Sequence, residues 1–327
     1  MTASGDSGAP LFDTVALIGI GLIGSSISHG VRRGRLARRL VGAARTPATR
    51  ATALRLGLVD EAFADAADAA AAADLVILCA PVGTYGALAA EIAPRLRAGA
   101  ILTDVGSVKA AVVRDVGPHV PADVHFIPGH PIAGTENSGP EAGFAELFDN
   151  RWCILTPPAG ADPEAVTRLA LFWRGLGSNV ETMAADHHDR VLAITSHLPH
   201  LIAFNIVNSA AHLERVTDSE VIKFSAGGFR DFTRIAASDP TMWRDVFLNN
   251  REAVLEMLGR FTEDLFHLQR AIRYGDGETL HRLFSEARAI RSGIIQAGQD
   301  TAAPDFGRTP AGAGAVPAAS PVGPRKV

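Results

Sequence analysis

Six short apolar runs, VALIGI, LVGAA, DLVILCA, AILTDV, HFIPG and WCILT, recur between Thr14 and Met183, separated by Ala-rich or amphipathic stretches. Runs that are apolar on both faces belong to strands covered by helices on both sides, and strands alternating with helical stretches build a parallel sheet. The pattern predicts an α/β domain with a doubly wound sheet over residues 13–184. Beyond Ala184 the strand-like runs vanish. From Thr241 to Tyr274 apolar residues fall at steps of three and four: Trp243, Phe247, Val254, Phe261, Leu265, Leu268 and Ile272 make one stripe, widened by Leu248, Leu255, Leu258 and Phe266. Asp239 followed by Pro240 is a good helix start, with a capping carboxylate and a first-turn proline. An all-helical domain is therefore expected over residues 185–298. Its broad apolar helix suits packing on a second subunit, although a helix buried in its own monomer gives the same periodicity. Residues 1–12 read as a flexible N-terminus, and residues 299–327, rich in Ala, Gly and Pro, as a disordered tail.

The 327 residues are 47% hydrophobic and 20% charged, which suits a folded chain of two domains. Lys and Arg number 31 against 35 Asp and Glu, and no basic run offers a stripe for phosphates, so nucleic acid is not an expected partner. Cys79 and Cys153 lack the spacing of a zinc or CxxC redox site and read as core packing in a reducing compartment. No apolar stretch is expected to approach the ~18 residues of a membrane span, and the N-terminus lacks a charged and then apolar leader. A cytoplasmic protein without a membrane partner is expected.

The first apolar run leads into Gly19-Ile20-Gly21-Leu22-Ile23-Gly24 and a helical Ser25-Ser26-Ile27. In a GxGxxG turn between strand and helix, the first glycine permits the turn, the second lets a pyrophosphate approach, and the third lets helix and strand pack closely. The N–H groups of the helix start, at Leu22, Ile23 and Gly24, then face the phosphates. A dinucleotide cofactor, NAD or NADP, is expected. About twenty residues on, where a carboxylate would hold the ribose of NAD, stand Ala44 and Arg45, with Arg50 beyond. Arg45 can hold a 2′-phosphate, stack on adenine, or be a solvated loop residue.

Two further stretches join chemical groups to strand ends. Asp104-Val105-Gly106-Ser107-Val108-Lys109 places Ser107 at the carboxyl edge of the sheet, where open α/β folds bind ligands, unless Ser107 only caps the next helix. Gly129-His130-Pro131-Ile132-Ala133-Gly134-Thr135-Glu136 follows HFIP and should carry His130 off a strand on a rigid turn at that edge. With VALIGIGLIGSS, SHLPH at Ser196 to His200 and GGFRDFTRIAASDPTMWRD at Gly227 to Asp245, these stretches resemble, in this order, the prephenate and arogenate dehydrogenase family of tyrosine biosynthesis. The resemblance spans about Val15 to Gln296. It implies a Rossmann-like N-terminal domain, a helical dimerisation domain giving a homodimer, and an active site between them. It further implies that His130 accepts the proton of the substrate ring hydroxyl, that Ser107 hydrogen-bonds near that hydroxyl and the nicotinamide, and that Ser196, His200 and Arg234 bind the small-molecule substrate, Arg234 through a carboxylate. The departure from pattern is at Ala44-Arg45.

These residue types suit the chemistry. A neutral histidine titrates near working pH, and arginine offers a permanently charged fork to a carboxylate. Arg230, four residues before Arg234, either shares its cleft or is a solvated arginine. Trp243 and Phe232 either border the substrate or belong to the core. His187, His188, His197 and His200 do not call for a metal, since no carboxylate stands at matching helical spacing. A β-hydroxyacid dehydrogenase or imine reductase would rely on a lysine of the helical domain, for which only Lys223 stands, without the glycines and asparagine of that motif. A dinucleotide-sensing protein without catalysis is disfavoured by the joint presence of His130 and Arg234.

Overall fold

The computed structural model describes residues 9–214 and 226–296. Residues 1–8 of the expected flexible N-terminus, Lys223 and the whole expected tail lie outside the described residues. The chain divides into two compact units between Arg260 and Phe261.

In the first unit six parallel strands, β1 (Phe12–Ile18), β2 (Ala37–Ala43), β3 (Glu61–Phe63), β4 (Leu75–Leu78), β5 (Ile101–Asp104) and β6 (His125–Phe126), lie in the order β3-β2-β1-β4-β5-β6. Alternate side chains of β1 explain why the strands read as continuous apolar runs. Val15 and Leu17 join a core with Phe148, Phe172 and Trp173, while Ala16 and Ile18 join another with Val76, Tyr85 and Ile92. Helices cover both faces: α1 (Leu22–Gly34), α2 (Pro47–Arg55), α3 (Ala66–Ala70), α4 (Tyr85–Ile92), α5 (Ala110–Val116) and α6 (Pro163–Gly175). Strand order reverses between β1 and β4, so the turns leaving these two strands flank the crevice in which such sheets bind ligands.

A second sheet of three short strands, β7 (Gly129–Pro131), β8 (Trp152–Leu155) and β9 (Asn179–Thr182), stands apart from the first. This corrects the expectation for His130. The strand containing HF ends at Phe126, and His130 is itself a strand residue, paired with Ile154 of the antiparallel β8. A ladder, not a turn, holds its backbone.

Helices α7 (Ala185–Leu192) and α8 (Leu198–Glu214) follow, joined by a π-helical segment at Ala193–His197. The run Ala185–Leu213 is long and apolar enough to cross a membrane by length and composition, with a mean hydropathy of 1.3 over 18 residues. Its charged residues, Asp186, Asp189 and Arg190, sit in the first two turns, and His, Ser, Asn and Pro interrupt the apolar residues beyond them. Then come α9 (Gly227–Thr233), a 3-10 turn at Arg234–Ala237, α10 (Pro240–Asn249), α11 (Arg251–Tyr274) and α12 (Gly277–Gln296). Asp239 caps α10 by accepting the Met242 N–H at 2.8 Å, as its position before Pro240 leads one to expect. The single helix expected from Thr241 to Tyr274 is two helices, interrupted at Asn250, whose φ of −114° and ψ of 33° leave the helical region. In the second unit, the remainder of α11 and all of α12 expose Leu265, Phe266, Ile272, Phe284 and Ile290.

Candidate active site

The glycine turn is shaped by side chains that are missing. Gly19 has φ of +107°, and a Cβ there would lie 2.8 Å from the Cys79 backbone at the exit of β4. A Cβ on Gly24 would lie 2.4 Å from the Gly19 carbonyl oxygen. At Gly21 a Cβ would meet nothing within 4 Å, and as N-cap of α1 it brings no side-chain acceptor to the first turn. A helix start with uncapped N–H groups and open space over its middle glycine fits a dinucleotide pyrophosphate. Leu22 and Ile23 are half-buried there. Arg45 is exposed just past β2, and its own carbonyl, like that of Ala44, accepts from Arg50, which thus braces the turn.

At the exit of β5, Asp104 and Lys109 form a fully buried ion pair. Lys109 Nζ also donates to the Gly129 carbonyl at 2.7 Å, while Asp104 accepts the N–H of Gly106 at 2.7 Å and of Gly129 at 3.2 Å. The pair thus ties the loop bearing Ser107 to the residue before His130. Ser107, half-buried, does not cap α5. The N–H groups of Lys109 and Ala110 go instead to the carboxylate of Asp189, at 2.7 and 2.9 Å, from α7. Ser107 Oγ has no hydrogen-bond partner among the described residues.

Asp189 also receives His188 Nδ1 at 2.8 Å, and His188 Nε2 lies 2.8 Å from Nδ1 of His130. Below it, Asn250 donates through Nδ2 to the Asp189 carbonyl at 2.8 Å and sits 3.1 Å from His197 Nδ1. The helix break between α10 and α11 delivers this amide to the site. His200 Nδ1 lies 2.8 Å from the Ser196 carbonyl, one turn earlier, and its ring stacks on Trp243 with centroids 3.7 Å apart. Trp243 is buried with Val108, Ala111 and Val246, and so belongs to the packing between the β5 exit and α10. Arg234 lies 3.5 Å from Glu136, the glutamate that ends the GHPIAGTE stretch. Arg230 and Phe232 are exposed.

Burial sets the protonation states. His130 is pushed well below the ordinary imidazole value by desolvation, with His188, Lys109 and His197 adding in the same direction. Desolvation also lowers His188, against its hydrogen bond to Asp189, and lowers His200, against its Ser196 contact. His197 is brought to about 4 by the same cause, Asp189 opposing. Burial alone would raise Asp189, but its hydrogen bonds with His188, Ala110 and Lys109 hold it below the usual carboxylate range. Desolvation raises Asp104 and lowers Lys109, and each opposes the other's shift. The site at neutral pH is thus an anionic Asp189 facing neutral histidines.

The structure ties His130 and the loop bearing Ser107 into one network through Asp189, Lys109 and Asp104, and places His200 within the electrostatic reach of Arg234. Sequence reasoning missed Asp104, Lys109, Asp189 and Asn250, and noticed His188 only as a metal candidate. The available signal was the pair Asp104 and Lys109 inside one apolar stretch, since such charges are buried only when partnered.

The chain matches the model of the prephenate dehydrogenase nucleotide-binding domain over residues 27–182, and that of the prephenate dehydrogenase dimerization domain over residues 184–286. The chain belongs to the prephenate dehydrogenase family. Among curated relatives of this family it is 41% identical over 283 residues to the cyclohexadienyl dehydrogenase of Zymomonas mobilis, covering 86% of this chain and 96% of the relative. It is 34% identical to the prephenate dehydrogenase of Bacillus subtilis, over 86% of this chain and 76% of the relative. Among solved structures it is similar to the prephenate dehydrogenase of Aquifex aeolicus in complex with hydroxyphenyl propionate and NAD+, with a TM-score of 0.81 and 35% identity over 86% of this chain and 98% of the other.

Proposed function

We propose that the protein carries out the oxidative decarboxylation of prephenate, arogenate or both, with NAD+ as hydride acceptor, in tyrosine biosynthesis. The observation that carries this reading is His130: buried, neutral, engaged at Nδ1, and tied through Gly129 and Asp104 to the same carboxyl edge of the sheet as the glycine turn. When bound, NAD+ supplies the nicotinamide carbon that takes the hydride from C4 of the substrate ring. His130 accepts the C4 hydroxyl proton at Nε2 as the hydride departs. The C1 carboxylate then leaves as carbon dioxide, the electrons of that bond complete the aromatic ring, and His130 returns its proton to the phenolate oxygen. Ser107 Oγ hydrogen-bonds the reacting hydroxyl. His200, held by Ser196 and Trp243, presents Nε2 as an acceptor, and Arg234 exchanges Glu136 for a substrate carboxylate.

NADP is accepted as well as NAD on this reading, because Arg45 is exposed at the end of β2 and Ala44 stands where a carboxylate would repel a 2′-phosphate. The protein is a homodimer through its helical domain, supported by the dimerization-domain match and by the exposed apolar side chains of α11 and α12. Two unpaired cysteines suit the reducing cytoplasm. The test is to offer prephenate and arogenate, each with NAD and with NADP, and to follow the reduced cofactor. Turnover of neither substrate with either cofactor refutes the reading.

A further inference from the structure

Resting on that reading, we propose that His188 and Asp189 are positioning residues for the proton transfer: the chain Asp189–His188–His130 fixes His130 as its Nδ1–H tautomer and so reserves Nε2 for the substrate. Each link follows from the one before. The Asp189 carboxylate can only accept, so His188 carries its proton on Nδ1, 2.8 Å away. A neutral His188 then has a lone pair on Nε2, and the His130 nitrogen 2.8 Å from it must be an N–H. His130, itself neutral, keeps one lone pair, on Nε2. An imidazole without such a partner favours the opposite tautomer, which offers a proton where the reaction needs an acceptor.

The arrangement is specified beyond what packing needs. Asp189 receives three donors, the ring of His188 and the backbone N–H groups of Lys109 and Ala110. One carboxylate therefore sets both the tautomer of His130 and the loop that carries Ser107, so the two groups at the reacting hydroxyl share one anchor. Asn250 steadies the backbone of the same residue, at 2.8 Å from the Asp189 carbonyl. When His130 takes the proton, the imidazolium keeps its Nδ1–H directed at His188, and the negative Asp189 lies one ring further on. The proton stays on Nε2, which is where the phenolate must recover it. The charged and titratable groups facing this chain are Lys109 and His197 toward His130, and Lys109 and Asp104 toward His188.

Long-range 15N–1H correlation spectra of the full chain at neutral pH read the tautomer directly, with the His130 signals identified by their loss in His130→Asn. The proposal expects the Nδ1–H form in the wild-type protein and in His188→Gln, whose side-chain carbonyl can still accept from His130. In His188→Phe it expects the Nε2–H form. In parallel, kcat should fall about 10²-fold in His188→Phe and recover most of that in His188→Gln, a smaller loss than the ~10⁴-fold of a wrong tautomer in a hydrolase triad. KM and NAD+ affinity should stay within about threefold. An Nε2–H form in the wild-type protein overturns the proposal. So does a His188→Phe variant with full kcat, or one whose loss of kcat is matched by losses of NAD+ affinity and thermal stability that Gln does not repair. Should His188→Phe fail to fold, the wild-type tautomer and the kcat of His188→Gln decide. The spectra need no substrate, so a protein that turns over neither prephenate nor arogenate would refute the function while the tautomer still judges this inference.

Discussion

The two ends of the site are made by opposite means. At the cofactor end the chain omits side chains: Gly19, Gly21 and Gly24 fall within six residues, and two of them admit no Cβ because backbone already occupies the space. At the substrate end it buries charged and polar side chains and partners each with another, most of them far along the chain. Asp104 meets Lys109, Asp189 meets α5, and His130 meets His188 across 58 residues of sequence. A site shaped by omission tolerates change until something is added, whereas one shaped by paired charges fails when a partner is taken away.

The largest effect should follow from breaking a buried pair. Lys109→Met leaves Asp104 and the Gly129 carbonyl without their cation, at a cost of about 3–5 kcal/mol, visible in the denaturant midpoint. Lowering the pH attacks the same end. His197 is at about 4 in the folded protein against an ordinary 6.5, so below pH 6.5 the unfolded chain binds a proton that the folded one refuses. Its stabilising contribution is complete above that value and is lost as the pH falls towards 4, by about 3 kcal/mol, with His130 and His188 adding in the same direction. Denaturant titrations at pH 7.5 and pH 5 check this.

The cofactor end should respond to addition. Gly24→Ala sets a methyl 2.4 Å from a carbonyl oxygen that cannot move alone, and should cost about 1–3 kcal/mol of stability as well as NAD+ affinity. Gly21→Ala meets no protein atom, so it should leave the thermal midpoint unchanged and weaken NAD+ only. Calorimetric unfolding and NAD+ titration of both variants separate the two cases. The smallest effect is expected at Arg45→Asp, in an exposed position, where the ratio of kcat/KM for NADP to that for NAD should drop while stability holds within about 0.5 kcal/mol.

This contrast also explains what could be read from the sequence. The strands, the glycine turn and the Asp239 cap are local patterns, each complete within a few neighbouring residues, and the motif stretches pointed to His130, Ser107, His200 and Arg234. The supporting network is not local. Asp189 is, by its neighbours, one more polar residue inside a short helix, and nothing near it announces that its partners lie some eighty residues earlier. Asn250 is hidden for the reason that it matters: the apolar steps run past it on both sides and read as one unbroken helix. Periodicity records which face a residue takes, not which distant partner its side chain meets there.

The central claim, that a neutral His130 takes the hydroxyl proton as the hydride leaves, is tested most directly by single-turnover formation of reduced nicotinamide, followed against pH in the wild-type protein and in His130→Asn. With whichever of prephenate or arogenate is turned over, the wild-type rate should climb an acid limb lying below pH 6.5, because burial lowers His130, and then level off. His130→Asn should be slower by about 10²- to 10⁴-fold and should lack that limb. A variant that keeps both the rate and the limb would contradict the account and move the base to another residue.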